Sequence, residues 1–405
     1  MRRLITSQVA GFPATFWWLW AGALLSALAS FVFVFLAVYL TARGFDARTT
    51  GLLVSAMGVG TLAAGPIGGA LADRIGRKPT LLAALLATAA SAAFLGAVRA
   101  PAAIAAGVLG FGLSTATIFP AVRAMVADLV APADRTRAFA LLYWANNLGA
   151  GLSAAVGGAV GERSWLGLFL ADATTTLVFA AVVWRRVPET RPAPAAPGAG
   201  SATAPARGYG AVLRDRPFVA FALVFVAFIT VFWQFAAAAP IAMTRAGLRP
   251  AEIGRVLAVN GFLIVVLTPL VSRAVARLDP AHVLAVGALA VGAGYGAYAL
   301  CDGPAGFAAA TAVWTLGEIA SLPVAAALVA SLSPPDLRGR YQGIYALSFG
   351  AGQTLAPIVG GSVLEAAGPA VLWPSCLGAM VVVAGAHLAL GAGRRSAASR
   401  TSEAP

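Results

Sequence analysis

Carboxylates inside apolar runs are the residues of this sequence best placed to do chemistry. Glu318 lies near the middle of the run 305–330, and Asp172 lies inside 165–184. Ionisable groups in such surroundings are rare, costly and usually functional. A carboxylate shielded from water can hold a proton and give it up, so both are candidates for carrying protons through an apolar medium. Either could instead be protonated and hydrogen-bonded to a neighbouring helix. For Asp172, with Thr175 and Thr176 a turn on, that structural bond is the better reading. Thr311, Trp314, Thr315 and Glu318 recur at i, i+3, i+4 and i+7, so they share one helix face. Arg123, about one turn before Asp128, reads first as a cation that snorkels to the interface.

The elements that hold these groups follow from composition. The chain has 405 residues, 60% hydrophobic and 11% charged. A soluble domain carries about 25% charged residues. Here the apolar residues come in blocks of roughly 20–25, each able to cross about 30 Å of hydrocarbon as a helix. Twelve such spans can be drawn: 16–40, 50–68, 79–98, 102–126, 137–160, 165–184, 217–240, 251–271, 281–300, 305–330, 341–363 and 370–391. The first is too long to be a signal peptide and reads as an uncleaved span. Trp17, Trp18, Trp20, Trp165, Trp184 and Trp373 fall at span ends, where an interfacial belt is expected.

The net charge of +13 is distributed by topology. With both termini inside, 20 basic residues fall on the inner side and 7 on the outer, and that bias fixes the orientation in a plasma membrane. No aromatic-interleaved basic face is present, so nucleic acid is not expected as a partner. Cys301 and Cys376 show no disulfide or metal spacing, and His282 and His387 form no cluster. No nucleophile–base pair or phosphate loop occurs, so neither an enzyme nor a cofactor is expected. The segment 185–216, rich in Pro, Ala, Gly and Arg, reads as a cytoplasmic linker. It divides the chain into an N-terminal six-helix bundle (1–184) and a C-terminal one (217–391), with a cytoplasmic tail at 392–405.

The two halves are related. VADLVAPADRTR (126–137) aligns without gaps on VASLSPPDLRGR (329–340), an offset of 203 residues. In that register Gly149, Gly157 and Gly158 fall on Gly352, Gly360 and Gly361. Between spans 2 and 3 stands GALADRIGRK, with Gly69, Leu71, Asp73, Arg74, Gly76, Arg77 and Lys78. This stretch resembles the signature G-x-L-x-D-R-x-G-R-K of the major facilitator superfamily. GQTLAPIVGG (352–361) and GAGLSAAVGG (149–158) resemble that superfamily's antiporter signature. The resemblance runs from span 1 to span 12.

The resemblance implies an all-α membrane protein, twelve transmembrane helices in two six-helix repeats, the major facilitator fold. It implies a small-molecule substrate site near the membrane midplane. It also implies an inner gate of Gly69, Asp73, Arg74, Gly76, Arg77, Lys78 and Asp128. There Asp73 docks on the N-terminal end of span 11 and Arg77 reaches Asp128. Span 10 lines the cavity in this superfamily. Candidate cavity residues are Tyr143, Asn146, Asn147, Trp233, Gln234, Asn260, Thr311, Trp314, Thr315, Tyr345 and Gln353, each equally able to bond between helices. Glu318, with Asp172 next, is the proton-coupling candidate. The expected function is proton-coupled export of amphipathic drugs or metabolites by alternating access, from a monomer in membrane lipid. The alternatives are an importer or facilitator of sugars or organic acids, and a membrane receptor or scaffold that no longer transports.

Overall fold

The computed structural model describes residues 11–190, 209–275, 277–334 and 337–402. The surroundings of Gly69 and the side chains of Asp73, Thr136 and 394–402 lie outside the described residues. Twelve long helices follow one another without a strand among the described residues. They are α1 (Ala14–Ala42), α2 (Ala47–Ile75), α3 (Arg77–Ala97), α4 (Pro101–Leu129), α5 (Arg135–Arg163) and α6 (Trp165–Arg186). After the linker come α7 (Arg216–Arg245), α8 (Pro250–Val275), α9 (Pro280–Leu300), α10 (Pro304–Leu332), α11 (Arg338–Ala367) and α12 (Pro369–Ser402). Eleven are long and apolar enough to cross a membrane. The twelfth, α5, is 29 residues long, but Arg135, Arg137, Asn146, Asn147 and Glu162 dilute its apolar surface. A five-residue helix, Tyr209–Leu213, precedes α7, and linker residues 191–208 are outside the described set.

Local chemistry explains where the helices start. Proline occupies the first turn of α4, α7, α9 and α10, where its missing N–H costs nothing. Ser164 caps α6 by accepting from the Gly167 amide, Asp215 caps α7 and Asp279 caps α9. Asp46 caps α2: the Thr49 amide donates to it at 2.8 Å and the Thr49 hydroxyl at 2.9 Å. These bonds, the amide's first, hold the Asp46 carboxyl below the usual carboxylate range.

Two helices are interrupted near their middles. In α1, Ala29 (φ −122°, ψ 28°) and Ser30 (φ −70°, ψ 48°) leave the helical region. In α7, a 3₁₀ turn at Trp233–Ala236 is followed by Ala237 at φ −141°, ψ −65°. Ser30 plus 203 is Trp233, so the interruptions share the register of the sequence repeat. The turns after α1 and α7 repeat as well. Gly44 and Gly247, also 203 apart, both take a left-handed backbone, with φ of +85° and +87°.

By packing, the chain forms two compact units. The first comprises Met1–Arg43, Ala56–Ala196 and Arg249–Val265, and the second Gly44–Ser55, Pro197–Leu248 and Val266–Pro405. The first unit is cored by Phe16 and Leu19 of α1, Leu81 and Leu85 of α3, Met125 and Val126 of α4, and Phe179 and Val183 of α6, all buried. Within it, the first turns of α8 lie on α5. The second unit is built on aromatic rings, and within it the first turns of α2 lie on α11. Phe225, Phe228, Phe232 and Phe235 succeed one another along α7 with centroids 5.5–6.3 Å apart. Trp314 stacks on Phe235 and Tyr295, and Tyr295 on Trp373. Trp18 and Trp184 are exposed, 40% and 62%, as an interfacial belt requires, but Trp373 is only 1% exposed. The belt assignment for Trp373 is therefore corrected: its ring packs inside the second unit against Tyr295 and Tyr298.

Candidate functional site

The charged stretch between α2 and α3 is more helical than the span boundaries 50–68 and 79–98 imply. α2 continues to Ile75 and α3 begins at Arg77, leaving Gly76 alone between them. Gly76 has φ +99° and ψ 169°, a region open essentially only to glycine. Arg77 forms an ion pair with Asp128 at the C-terminal end of α4, and its guanidinium also donates to the Thr190 carbonyl at 3.4 Å. Lys78 donates through Nζ to the Trp184 carbonyl at 2.9 Å, and Arg74 is exposed. The expected docking of Asp73 falls on a side chain outside the described residues.

Glu189 was not singled out from sequence, yet it organises this corner. Its carboxylate accepts from the amides of Arg77 and Lys78, both at 3.1 Å, and so caps α3 from the segment after α6. The only sequence signal was an acid five residues beyond the end of the apolar span 165–184, with nothing to tie it to residues more than 110 positions earlier. Gly76→Ala is expected to cost about 1–3 kcal/mol through backbone strain. Its added Cβ would also lie 3.1 Å from Glu189 Cδ. A lowered melting midpoint in detergent checks this, and wild-type melting would contradict it.

The polar groups within the helices divide into two classes. Thr311, Trp314 and Thr315 are fully buried, and Trp314 donates through Nε1 to the Tyr298 hydroxyl at 3.1 Å. That hydroxyl lies 2.7 Å from Thr311 Oγ1. Gln234 is also buried and donates to the carbonyls of Thr230 (2.9 Å) and Ala356 (3.1 Å), joining α7 to α11. In this structure these four are buried inside the second unit, with Gln234 Oε1 left without a hydrogen-bond partner. Trp233 and Gln353 are buried too, Trp233 against the rings of Phe235 and Phe349.

The second class keeps surface. Tyr143 is 44% exposed, and Asn146, Asn147, Asn260 and Tyr345 are half-buried. Asn146 and Asn147 donate to the carbonyls of Leu142 and Tyr143 on their own helix. Glu318 is half-buried on α10, one turn beyond Trp314. Arg123 is exposed, with its guanidinium 5.1 Å from the Phe119 ring centroid. Asp172 differs from all of these. It is 3% exposed and accepts from the Val32 amide at 3.0 Å, at the interruption in α1.

The glycine-rich stretches of α5 and α11 serve close packing, in the 203-residue register. Within the second unit, α11 crosses the start of α2. A Cβ at Gly51 would meet the Pro357 carbonyl, and one at Gly361 would meet the Ala47 carbonyl. Within the first unit, α5 crosses the start of α8. There Gly254 faces the Ala154 carbonyl, and Gly158 faces the Pro250 carbonyl. Beside each crossing a glutamate caps the incoming helix. Glu365 accepts from the Ala47 amide (3.0 Å) and Glu162 from the Ala251 amide (3.2 Å). Arg245 adds an ion pair to Glu365.

A helical chain with this signature corner, doubled crossings and a 203-residue repeat can be set beside known proteins. A model of the Major Facilitator Superfamily matches residues 19–249 and, again, 230–404. The Na(+), Li(+), K(+)/H(+) antiporter of Planococcus maritimus is 24% identical over 357 residues, 81% of this chain and 84% of that protein. The multidrug resistance protein MdtH of Cronobacter sakazakii is 27% identical over 330 residues, 79% of this chain and 78% of that protein. The solved nucleoside transporter NupG shares the fold, with a TM-score of 0.76 over 93% of this chain and 99% of that one, at 15% identity. The repeat, the signature and the family model agree: this chain belongs to the Major Facilitator Superfamily, a family of multi-pass membrane transporters.

Proposed function

We propose that this transporter exports amphipathic small molecules in exchange for protons, by alternating access. The observation that carries the reading is Glu318, an ionisable group kept half-buried midway along an apolar helix. Such a placement costs stability, and chains retain it where charge or protons move. The relatives named as a multidrug resistance protein and a cation/proton antiporter support this direction. In the first unit the exposed Tyr143 and the half-buried Asn146, Asn147 and Asn260 suit a neutral or cationic organic substrate. The arginine bias supports a plasma-membrane location with both termini cytoplasmic. The corner around Arg77 and Asp128 is read as the inner gate. A monomer of two six-helix bundles provides every group this reading uses.

The test is proton movement in liposomes holding wild type or Glu318→Gln, challenged with lipophilic cations and neutral drugs. Substrate-triggered proton flux that disappears in the variant is expected. Uptake of substrate with no proton flux would overturn the coupling and leave a facilitator. A second reading, exchange of alkali cations for protons, is favoured by the Planococcus maritimus relative. Sodium, lithium and potassium gradients across the same liposomes separate it from drug export.

A further inference from the structure

The interruption of α1 has no glycine or proline beside it. Ala29 and Ser30 leave the helical region, yet the stretch from Ser26 to Phe35 holds neither glycine nor proline. Breaks in helices otherwise trace to those residues or to a group inserted into the backbone ladder. Here the inserted group is Asp172 of α6. Its carboxylate takes the Val32 amide at 3.0 Å, the amide that an unbroken helix would bond to the Leu28 carbonyl. Ser30 turns its hydroxyl onto the Ala27 carbonyl at 2.6 Å, satisfying one acceptor that the break frees.

The second repeat makes the same break with different chemistry. At α7, the Phe235 amide donates to the Tyr295 hydroxyl at 3.1 Å, and that hydroxyl donates to the Phe232 carbonyl at 2.6 Å. A phenol stays neutral across the physiological range, but a carboxylate does not. Among the described residues no Lys, Arg or His forms an ion pair with Asp172. The helices packed on α6 offer little else that titrates. α1 holds only Tyr39, about two turns beyond Val32, and α3 holds nothing titratable between Thr80 and Ala97. α5 holds Tyr143 and its terminal charges Arg135, Arg137, Glu162 and Arg163, and α6 itself ends in Arg185 and Arg186.

We propose that Asp172 clamps a hinge in α1 and that a proton on its carboxylate releases it. The ionised clamp binds the Val32 amide through a charge-assisted bond, roughly twice as strong as a neutral one. Once neutral, it competes poorly with the Leu28 carbonyl, and α1 closes into one helix. Asp172 is thus a positioning residue that sets the course of α1, and the reading rests on proton coupling only for the source of the proton.

Spin labels at Ala14→Cys and Ala42→Cys, in a Cys301→Ser, Cys376→Ala background, report the length of α1 in lipid nanodiscs. Two distance populations should exchange as pH falls from about 9 to about 5. Asp172→Asn should show the released population at every pH, and Asp172→Glu should restore the response with a displaced midpoint. A flat wild-type titration, or a pH response that persists in Asp172→Asn, overturns the clamp. If Asp172→Asn does not fold, the wild-type titration still decides. Loss of the proton-flux result with Glu318→Gln would leave this titration untouched, so the two readings fail separately.

Discussion

Gly361→Leu and Gly158→Leu should each leave little folded protein in the membrane. At Gly361 a Cβ would point at the Ala47 carbonyl and lie 3.2 Å from Gly51 Cα. At Gly158 it would lie 2.6 Å from both the Pro250 carbonyl carbon and Ala251 Cα. The obstacles are backbone atoms, so no rotamer change makes room and the crossing helices must part. Apolar solvent offers no hydrophobic drive to hold them, and contact distance is what their association depends on. Overpacking costs about 1–3 kcal/mol when neighbours can shift. A whole leucine against two backbones should reach the upper end or beyond. Gly378→Ala is the control, since nothing lies within 4 Å of its Cβ position. It should be neutral or stabilising by up to about 1 kcal/mol. Membrane yield and detergent melting midpoints measure all three, and wild-type melting of Gly361→Leu would remove the crossing from the account of stability.

Arg77→Ala and Asp128→Ala should each slow transport about tenfold or more while the protein still reaches the membrane, equivalent to about 1.4 kcal/mol at the limiting step. Both side chains are about one-fifth exposed, at 23% and 22%, so screening is incomplete and the orphaned partner loses real interaction. The double variant should be no worse than either single one, because the second substitution removes a charge that the first had already stranded. Initial rates in liposomes at matched protein density test this. Additive losses would mean that the two residues act apart and that the gate reading of the pair is wrong.

What the sequence disclosed depended on whether the cause was local. Arg and Gly pairs at an offset of 203 exposed the repeat, and the same offset then located Gly44 with Gly247 and Ser30 with Trp233. The Arg77–Asp128 pair was legible because a signature implied both ends. The break in α1 was illegible, since Ser26 to Phe35 reads as uninterrupted helix and its cause lies 140 residues away. Glu189 was passed over for the same reason. Thr311, Trp314 and Thr315 were rightly placed on one face, but periodicity does not say what that face meets. Tyr298 and Tyr295 of α9 had already claimed it. Likewise Trp373 has the position of a belt residue and the surroundings of a core one.

The single residue between α2 and α3 has a mechanical consequence. A 29-residue helix is a rod of roughly 43 Å. Only Gly76 joins that helix to α3, and Glu189 grips the amides on the far side of the joint. A tilt of the part of α2 beyond Pro66 reaches α3 through one peptide unit. Under the proposed transport cycle the pair would work as a crank, turning a small swing at one end into rotation at the other. A single glycine inserted after Gly76 would keep every side chain of both helices in the sequence, yet by lengthening the joint it should still slow transport.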